Sequence, residues 1–332
     1  MTTAIRFHAY GGPDVLTLQD VEIAPPGPGE LRLRVDAIGL NRAESLFRSG
    51  TYGEPVRRFP TGLGYEAAGE VEAVGPDVTE FAPGDAVSVL PAFSMTDYHT
   101  YAASAIVPAR AVVHRPADVD AVTGAAVWMA YLTAHGGLVS TGGLRAGDTV
   151  LLTAAASSVG LAAIQVARRV GAVPIATTRS AAKREALLRA GAAEVIVTGG
   201  NALLPTADVV FDPVLGPGLA DLAAAVRPGG VLVAYGALAG PTIEVPALPL
   251  LRSGVQLRGY SVRRTFADPE ELRRAVAFVN AGLATGEFRP VVDRVFDGLG
   301  RMPEAHRYLE SNAQIGKIVV TVRHPSVPRP SN

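Results

Sequence analysis

From about residue 118 the chain alternates short apolar runs rich in Val, Ile and Thr with longer segments of helical periodicity, and no other feature restricts its fold so sharply. The runs TVLLTAA, AVPIATT, EVIV, ADVVFDP and GVLVAYG are each short and bounded by turn-forming or polar residues. VGLAAIQVARRVG separates the first two, and SAAKREALLRAGA the next two. Strands buried on both faces read as continuous apolar runs, and parallel neighbours need a long crossover, usually a helix. The pattern therefore predicts βαβ units in a doubly wound parallel sheet.

The first 115 or so residues have another texture. TAIRFHAY, LRLRVDAIGL and AAGEVEAVG are separated by GGPD, APPGPGE and PDVTEFAPGD, and Leu31, Leu33 and Val35 alternate with Arg32, Arg34 and Asp36. Period-two alternation with frequent Gly/Pro turns predicts an all-β domain. RPVVDRVFD and KIVVTV return to that texture near the end, around one helix, PEAHRYLESN. The expectation is a two-domain α/β protein. Residues 1–117 and 285–332 form the β domain, 118–284 form an inserted α/β domain, and the Pro-rich tail RHPSVPRPSN is disordered.

Composition removes several chemistries. The 332 residues include no Cys, which rules out disulfides, thiol nucleophiles, thiolate zinc and iron–sulfur ligation. The six histidines, His8, His99, His114, His135, His306 and His324, have no metal-binding spacing. A formal charge of −1 creates no global field for nucleic acid or anionic lipid. No stretch approaches eighteen apolar residues and none resembles a signal peptide, so a soluble cytoplasmic protein is expected. Lys183 and Lys317 are the two lysines in a chain whose other basic residues are Arg.

The first apolar run leads through Ala154-Ala155-Ala156-Ser157-Ser158-Val159-Gly160 into an amphipathic helix. Small residues at such a turn let backbone approach a pyrophosphate at the helix N-terminus, although G-x-G-x-x-G is absent and a small-residue turn also serves structure alone. NAD-binding forms need an acid about twenty residues on. No acid lies between Leu161 and Arg184, and the second run ends Thr178-Arg179-Ser180 with Lys183 beyond. Hydroxyls and a planar guanidinium suit a 2′-phosphate, so the pair of features favours NADP(H) over NAD; the alternative is a solvated basic helix start.

With these stand Gly39-Leu40-Asn41-Arg42-Ala43-Glu44, Ser49-Gly50-Thr51-Tyr52, Gly62-Leu63-Gly64-Tyr65-Glu66-Ala67-Ala68-Gly69, Pro83-Gly84-Asp85, Tyr131-Leu132-Thr133-Ala134 and Gly316-Lys317-Ile318-Val319. The ordered set resembles the medium-chain dehydrogenase/reductase superfamily, in its zinc-free quinone oxidoreductase-like branch, over nearly the whole chain. The resemblance implies a GroES-like β domain carrying an inserted Rossmann domain. Zinc-dependent relatives place a Cys where Asn41 stands, a His where Tyr65 stands, and a four-Cys lobe near 90–115; this chain offers none of them. Glu66 remains, and its plainer reading is an internal hydrogen-bonding partner.

By the same resemblance Asn41 and Tyr52 are the catalytic candidates. Asn41 lies near the nicotinamide ribose, or else stabilises its turn. Tyr52 borders the substrate as a proton donor, or else as a wall. Thr133, Tyr235, Gly236, Leu238 and Lys317 join Ser157, Ser158, Val159, Gly160, Thr178, Arg179 and Lys183 around the cofactor, with Lys317 alternatively a strand-edge charge. The loop Phe93–His99 sits by the substrate, and His99 and His135 are ordinary packing or surface residues. The segment 198–208 is too short for the helix relatives carry there, and Thr198 replaces a Tyr that covers adenine in relatives. The expected activity is zinc-independent, NADPH-dependent hydride transfer to a quinone or an activated C=C (enone or enoyl) acceptor, an apolar carbonyl compound. The competing reading is an NADPH-binding protein with little turnover in a structural or nucleic-acid-binding role; no basic, aromatic-interleaved patch supports the latter. Residues 240–262, Pro-rich then strand-like, lie where relatives pair as homodimers.

Overall fold

The longest strand, β3 (Glu30–Gly39), keeps the alternation read from its sequence, with Leu31, Leu33, Val35 and Ala37 buried. Its outward Arg32 pairs with Glu72 and Arg34 with Glu70 on the neighbouring strand. The computed structural model describes residues 1–198, 204–245 and 247–324. They form two compact units, Met1–Trp128 with Val292–Asn332, and Met129–Val291.

The first unit contains β1 (Thr2–Arg6), β2 (Thr17–Val21), β3, β4 (Ala67–Val74), β5 (Ala86–Val89), β6 (Ser104–Pro108), β7 (Val112–His114), β14 (Val292–Asp297) and β15 (Lys317–Thr321). A seven-stranded sheet runs β14-β15-β3-β4-β5-β7 with β6 also on β3, while β1 and β2 pair separately. This is the GroES-like half. Its helices are α1 (Arg42–Ser49), α2 (Ala121–Gly124) and α10 (Met302–Glu310). The β texture of the first 115 residues gave no expectation of α1. Asn41 is its N-cap, Glu44 at the third position reaches back to the Asn41 N–H, and Gly50 ends it at φ 78°. The N-x-x-E spacing is half of a capping box and was the legible signal.

The second unit holds β8 (Thr149–Leu152), β9 (Val173–Thr178), β10 (Glu194–Val197), β11 (Ala207–Asp212), β12 (Val226–Ala234) and β13 (Gln256–Gly259), all parallel in the order β10-β9-β8-β11-β12-β13. The order reverses between β8 and β11, as in a Rossmann fold. Around the sheet lie α3 (Trp128–His135, entering from the first unit), α4 (Ser158–Val170), α5 (Arg184–Arg189), α6 (Leu219–Ala225), α7 (Ala247–Ser253), α8 (Val262–Ala267) and α9 (Pro269–Ala284). A π-helix, Gly136–Thr141, continues α3. A Cβ at Gly136 would stand 2.0 Å from the Tyr260 hydroxyl, and one at Gly137 2.4 Å from Phe211, so both glycines are needed for helix and sheet to approach.

Two sequence expectations need adjustment. Residues 240–262 are not simply Pro-rich then strand-like: α7 precedes β13. Pro249 falls in the first turn of α7, where an N–H has no helical acceptor anyway. The short β10–β11 connection carries no helix at Thr198 or at 204–206; its residues 199–203, and 325–332 of the tail, lie outside the described residues.

α10 closes the first unit through His306, which is fully buried with Nε2 3.2 Å from the Tyr101 hydroxyl. Burial first, then the cations Arg48 and Arg42, push its pKa down to about 3. Because the unfolded chain binds this proton more readily, the stabilising contribution is present above about pH 6.5 and is lost as pH falls toward about 3. In urea titrations His306→Gln should lessen the acid slope of stability, by up to about 1.4 kcal/mol per pH unit below about pH 6.5. Identical slopes in variant and wild type would contradict the assignment.

Candidate active site

Register brings three chain segments to one end of the first unit's sheet. β15 pairs antiparallel with β3, Val319 opposite Gly39, and β4 pairs on the other side, Ala67 opposite Ile38. Asn41, just past the end of β3, therefore meets Lys317 at the start of β15 and Glu66 just before β4. The Lys317 ammonium lies 2.5 Å from Glu66 Oε2 and donates to Asn41 Oδ1 at 2.6 Å. Asn41 Nδ2 donates to the same Glu66 oxygen at 3.1 Å, with Gly39 O and Glu44 Oε1 each at 3.3 Å. The Asn41 backbone N–H donates to Glu44 Oε2 at 2.7 Å. Glu44 and Glu66 are wholly buried, Lys317 is 1% exposed and Asn41 8%.

This geometry answers two of the alternatives left by sequence. Lys317 opens a strand but is no solvated edge charge, and Glu66 is an internal partner. It also fixes the amide of Asn41, because only an acceptor can face an ammonium at 2.6 Å. Gly39 makes room for the arrangement: a Cβ there would lie 2.7 Å from Lys317 Cε and 1.9 Å from Ala125 O.

Desolvation dominates the titration here. Burial raises the Glu44 carboxyl to about 8, against smaller lowering effects from Lys317 and Asn41. Its folded value exceeds the unfolded one, so its stabilising contribution is full below about pH 4.5 and fades as pH rises toward about 8. Burial, then Glu44 and Tyr52, raise the Tyr65 phenol well above its usual range. His99 is pushed down to about 4 by burial and by Arg6, so it is a neutral packed imidazole at neutral pH. His135 is likewise buried, its ring tilted on Phe278 at 4.7 Å. Tyr52 is half-buried, edge-on to Phe47 with centroids 6.4 Å apart. In the loop by which the sequence placed substrate, Ser94 donates to Glu54 at 2.9 Å and Arg57 pairs with Asp97 at 2.6 Å, linking it to the segment that follows Tyr52.

In the second unit the carboxyl ends of β8, β11 and β12 border the switch point. Ser157 caps α4 by accepting the Gly160 N–H at 3.0 Å. The N–H groups of Ser158 and Val159 are beyond the reach of any helical carbonyl. A Cβ at Gly160 would lie 2.5 Å from Ala155 O, so this turn admits glycine alone without shifting backbone. Across the switch point Asp212, which the sequence reading missed, ends β11 fully buried. It accepts from the Thr153 hydroxyl and from the Val214 and Leu215 N–H groups at 3.0 and 2.6 Å, holding Leu215 at φ 51°. An Asp-Pro pair at a strand end was the available signal. Tyr235 follows β12 with its ring stacked on Phe211, centroids 3.9 Å apart and planes 17° apart. A Cβ at Gly236 would lie 2.7 Å from Pro213 O, and Leu238 is exposed. Thr133 is buried in α3, its hydroxyl 3.5 Å from Met129 Sδ. At the end of β9 the Ser180 N–H donates to Thr178 Oγ1 at 3.2 Å, presenting Arg179 to solvent without an ion pair to any described residue, and Lys183 follows in the next turn. Capped helix start, cramped glycine and acid-free basic strand end together fit a phosphorylated dinucleotide. Among the described residues no three His, Asp or Glu side chains converge on a metal position, and no helix is long and apolar enough to cross a membrane.

The family model described as alcohol dehydrogenase GroES-like domain matches residues 27–117, and that described as zinc-binding dehydrogenase matches 190–320. A quinone oxidoreductase of Pseudomonas aeruginosa is 35% identical over 330 residues, covering 96% of this chain and 99% of the relative. A 2-haloacrylate reductase of a Burkholderia species is 30% identical over 343 residues, covering 96% and 99%. The structure of Escherichia coli quinone oxidoreductase complexed with NADPH superposes with a TM-score of 0.87 at 29% identity, covering 96% of this chain and 99% of that one. The fold is that of a two-domain dehydrogenase. The chain belongs to the medium-chain dehydrogenase/reductase superfamily, in its zinc-free quinone oxidoreductase-like branch.

The buried ion pair is open to a direct test. Lys317→Met leaves Glu66 charged and unpaired in the interior and should cost about 3–5 kcal/mol. The double variant Lys317→Met/Glu66→Gln should recover at least half of that loss in urea unfolding. Additive losses would mean that the pair is not coupled in solution.

Proposed function

We propose that the protein is a zinc-independent, NADPH-dependent oxidoreductase that delivers hydride to a quinone or to a carbon–carbon double bond activated by a carbonyl group. The observation that carries this reading is the acid-free, basic end of β9, with Arg179 exposed, in the same Rossmann sheet as the Ser157-capped start of α4. Similarity to quinone oxidoreductases supports the quinone acceptor, and similarity to a 2-haloacrylate reductase supports the activated double bond.

Bound NADPH would supply a hydride from C4 of its nicotinamide. The chain's own residues divide the remaining work. The N–H groups of Ser158 and Val159 receive the pyrophosphate, with Ser157 and Gly160 shaping the turn. Arg179, Lys183 and the Thr178 hydroxyl take the 2′-phosphate, where a guanidinium fork gives charge-assisted bonds. Thr133 seats the nicotinamide end, and Tyr235, Gly236 and Leu238 border the cofactor with backbone. In the GroES-like unit Asn41 serves the nicotinamide ribose, and Lys317 counts among the cofactor residues through its bond to Asn41 Oδ1. Negative charge developing on the acceptor oxygen falls to hydrogen-bond donors, of which the Tyr52 hydroxyl is one. Asn41 and Tyr65 at the positions of zinc ligands, and the absence of Cys, leave that charge without a metal to stabilise it. The two functional domains are drawn at residues 1–117 with 285–332 and at 118–284, a division that gives α2 to the cofactor domain although it packs in the first compact unit. The exposed β13 edge, with Leu248 and Leu251 exposed on α7, is the homodimer contact, and the protein works in the cytoplasm.

Arg179→Ala should weaken NADPH binding by about 1–3 kcal/mol and leave NADH binding nearly unchanged in fluorescence titrations. Equal losses for both cofactors would remove the phosphate assignment. Turnover of a quinone and an enone panel then ranks the acceptors. On the best of them Tyr52→Phe should lower kcat more than it raises KM if the hydroxyl donates; an unchanged kcat makes Tyr52 a wall.

A further inference from the structure

The cluster beneath Asn41 holds two carboxyl groups, one ammonium and one carboxamide, all withdrawn from water. Lys317 commits two of its donors, one to Glu66 and one to Asn41 Oδ1, and thereby balances one carboxylate. Glu44 shares the Asn41 Nδ2 donor with Glu66 but has no hydrogen bond of its own to the ammonium. Two ionised carboxylates around one amide and one ammonium would leave a net negative charge in a dry site, which burial strongly disfavours. The economical state is Glu66 ionised against Lys317 and Glu44 protonated. Burial as the dominant influence on Glu44 points the same way.

We propose that Glu44 is a positioning residue acting through Asn41: as the neutral acid it leaves Lys317 and the Asn41 amide committed to Glu66, and its ionisation would draw both toward itself and misplace the cofactor-facing end of β3. The proposal rests on the NADPH reading given above. The groups around Glu44 are Asn41 at its own helix start, Lys317 from β15, Tyr65 from the segment before β4 and Tyr101 ahead of β6; Glu66 acts on both tyrosines, Tyr52 on Tyr65, and Arg48, one turn along α1, on Tyr101. Both tyrosines buried here, Tyr65 and Tyr101, are held neutral, and Arg48 is paired with Glu310, so Lys317 is the cation left to the two carboxyl groups, with Glu66 its counter-ion. Glu44 Oε2 accepts the Asn41 N–H, a contact that the carbonyl of a glutamine keeps while its amide nitrogen takes the place of Oε1 beside Asn41 Nδ2, so Glu44→Gln retains the cap with a side chain that cannot ionise.

Two measurements on the intact chain separate the outcomes. Infrared spectra of the protein without cofactor should contain a protonated-carboxyl band at neutral pH that disappears as pH rises through about 8 and is missing from Glu44→Gln. NADPH titration should show wild-type Kd rising toward tenfold per pH unit above the midpoint of that band, whereas Glu44→Gln holds its Kd within about twofold over the same range. Glu44→Ala, which loses the cap as well, should bind weakly at every pH. A missing band, or Kd profiles that fall together in wild type and Glu44→Gln, overturns the proposal. Wild type that fails to bind NADPH at neutral pH overturns the cofactor reading and the positioning role with it, while the band still reports where the proton resides.

Discussion

An ammonium group taken out of water needs a counter-charge in contact, and Lys317 has both Glu66 and the Asn41 carbonyl within 2.6 Å. Much of the GroES-like unit is arranged to make that possible. Gly39 has no side chain because the Lys317 stem passes over it. Glu44 caps the helix that Asn41 starts, and the same Asn41 amide touches both carboxyl groups. Changing any one of these groups leaves another buried and unsatisfied, which is why the cluster behaves as a unit rather than as separate contacts.

The Rossmann unit solves a different problem with backbone rather than charge. Its central strands are largely apolar, so recognition of a charged cofactor has to come from strand and helix ends. Ser157 satisfies one N–H of α4 and leaves those of Ser158 and Val159 without a helical carbonyl. Asp212 ties the loop after β11 into a fixed turn opposite. Tyr235, the first residue after β12, stacks its ring on Phe211 of β11. Each residue that would carry a charge toward a phosphate, Arg179 and Lys183, stands after β9, where the strand has already left the apolar core.

Most of this frame is legible in the residues themselves. The run TVLLTAA became β8, VGLAAIQVARRVG became α4, and the alternation in LRLRVDAIG became the buried and ionic faces of β3. The helix α1 was lost in a β texture because its eight residues are too few for periodicity to rise above neighbouring strands, although its N-x-x-E start was visible. α7 was hidden by its proline, which a first turn tolerates. Asp212 is not legible in the sequence pattern, because a single acid at the end of an apolar run carries no periodicity at all.

The sequence by itself determined the class of each half, since strand and helix periods are local properties and every residue contributes to them. It also determined that no thiolate metal site could form, since a missing residue type is absent from every fold. What only the tertiary structure decided was the company each polar residue keeps. Asn41, Glu66 and Lys317 are separated by up to 276 positions, and strand register alone carries them to one point. Whether Lys317 is a surface charge or a buried counter-ion depends on which carboxylate register places beside it, and that is a long-range fact that no local pattern encodes.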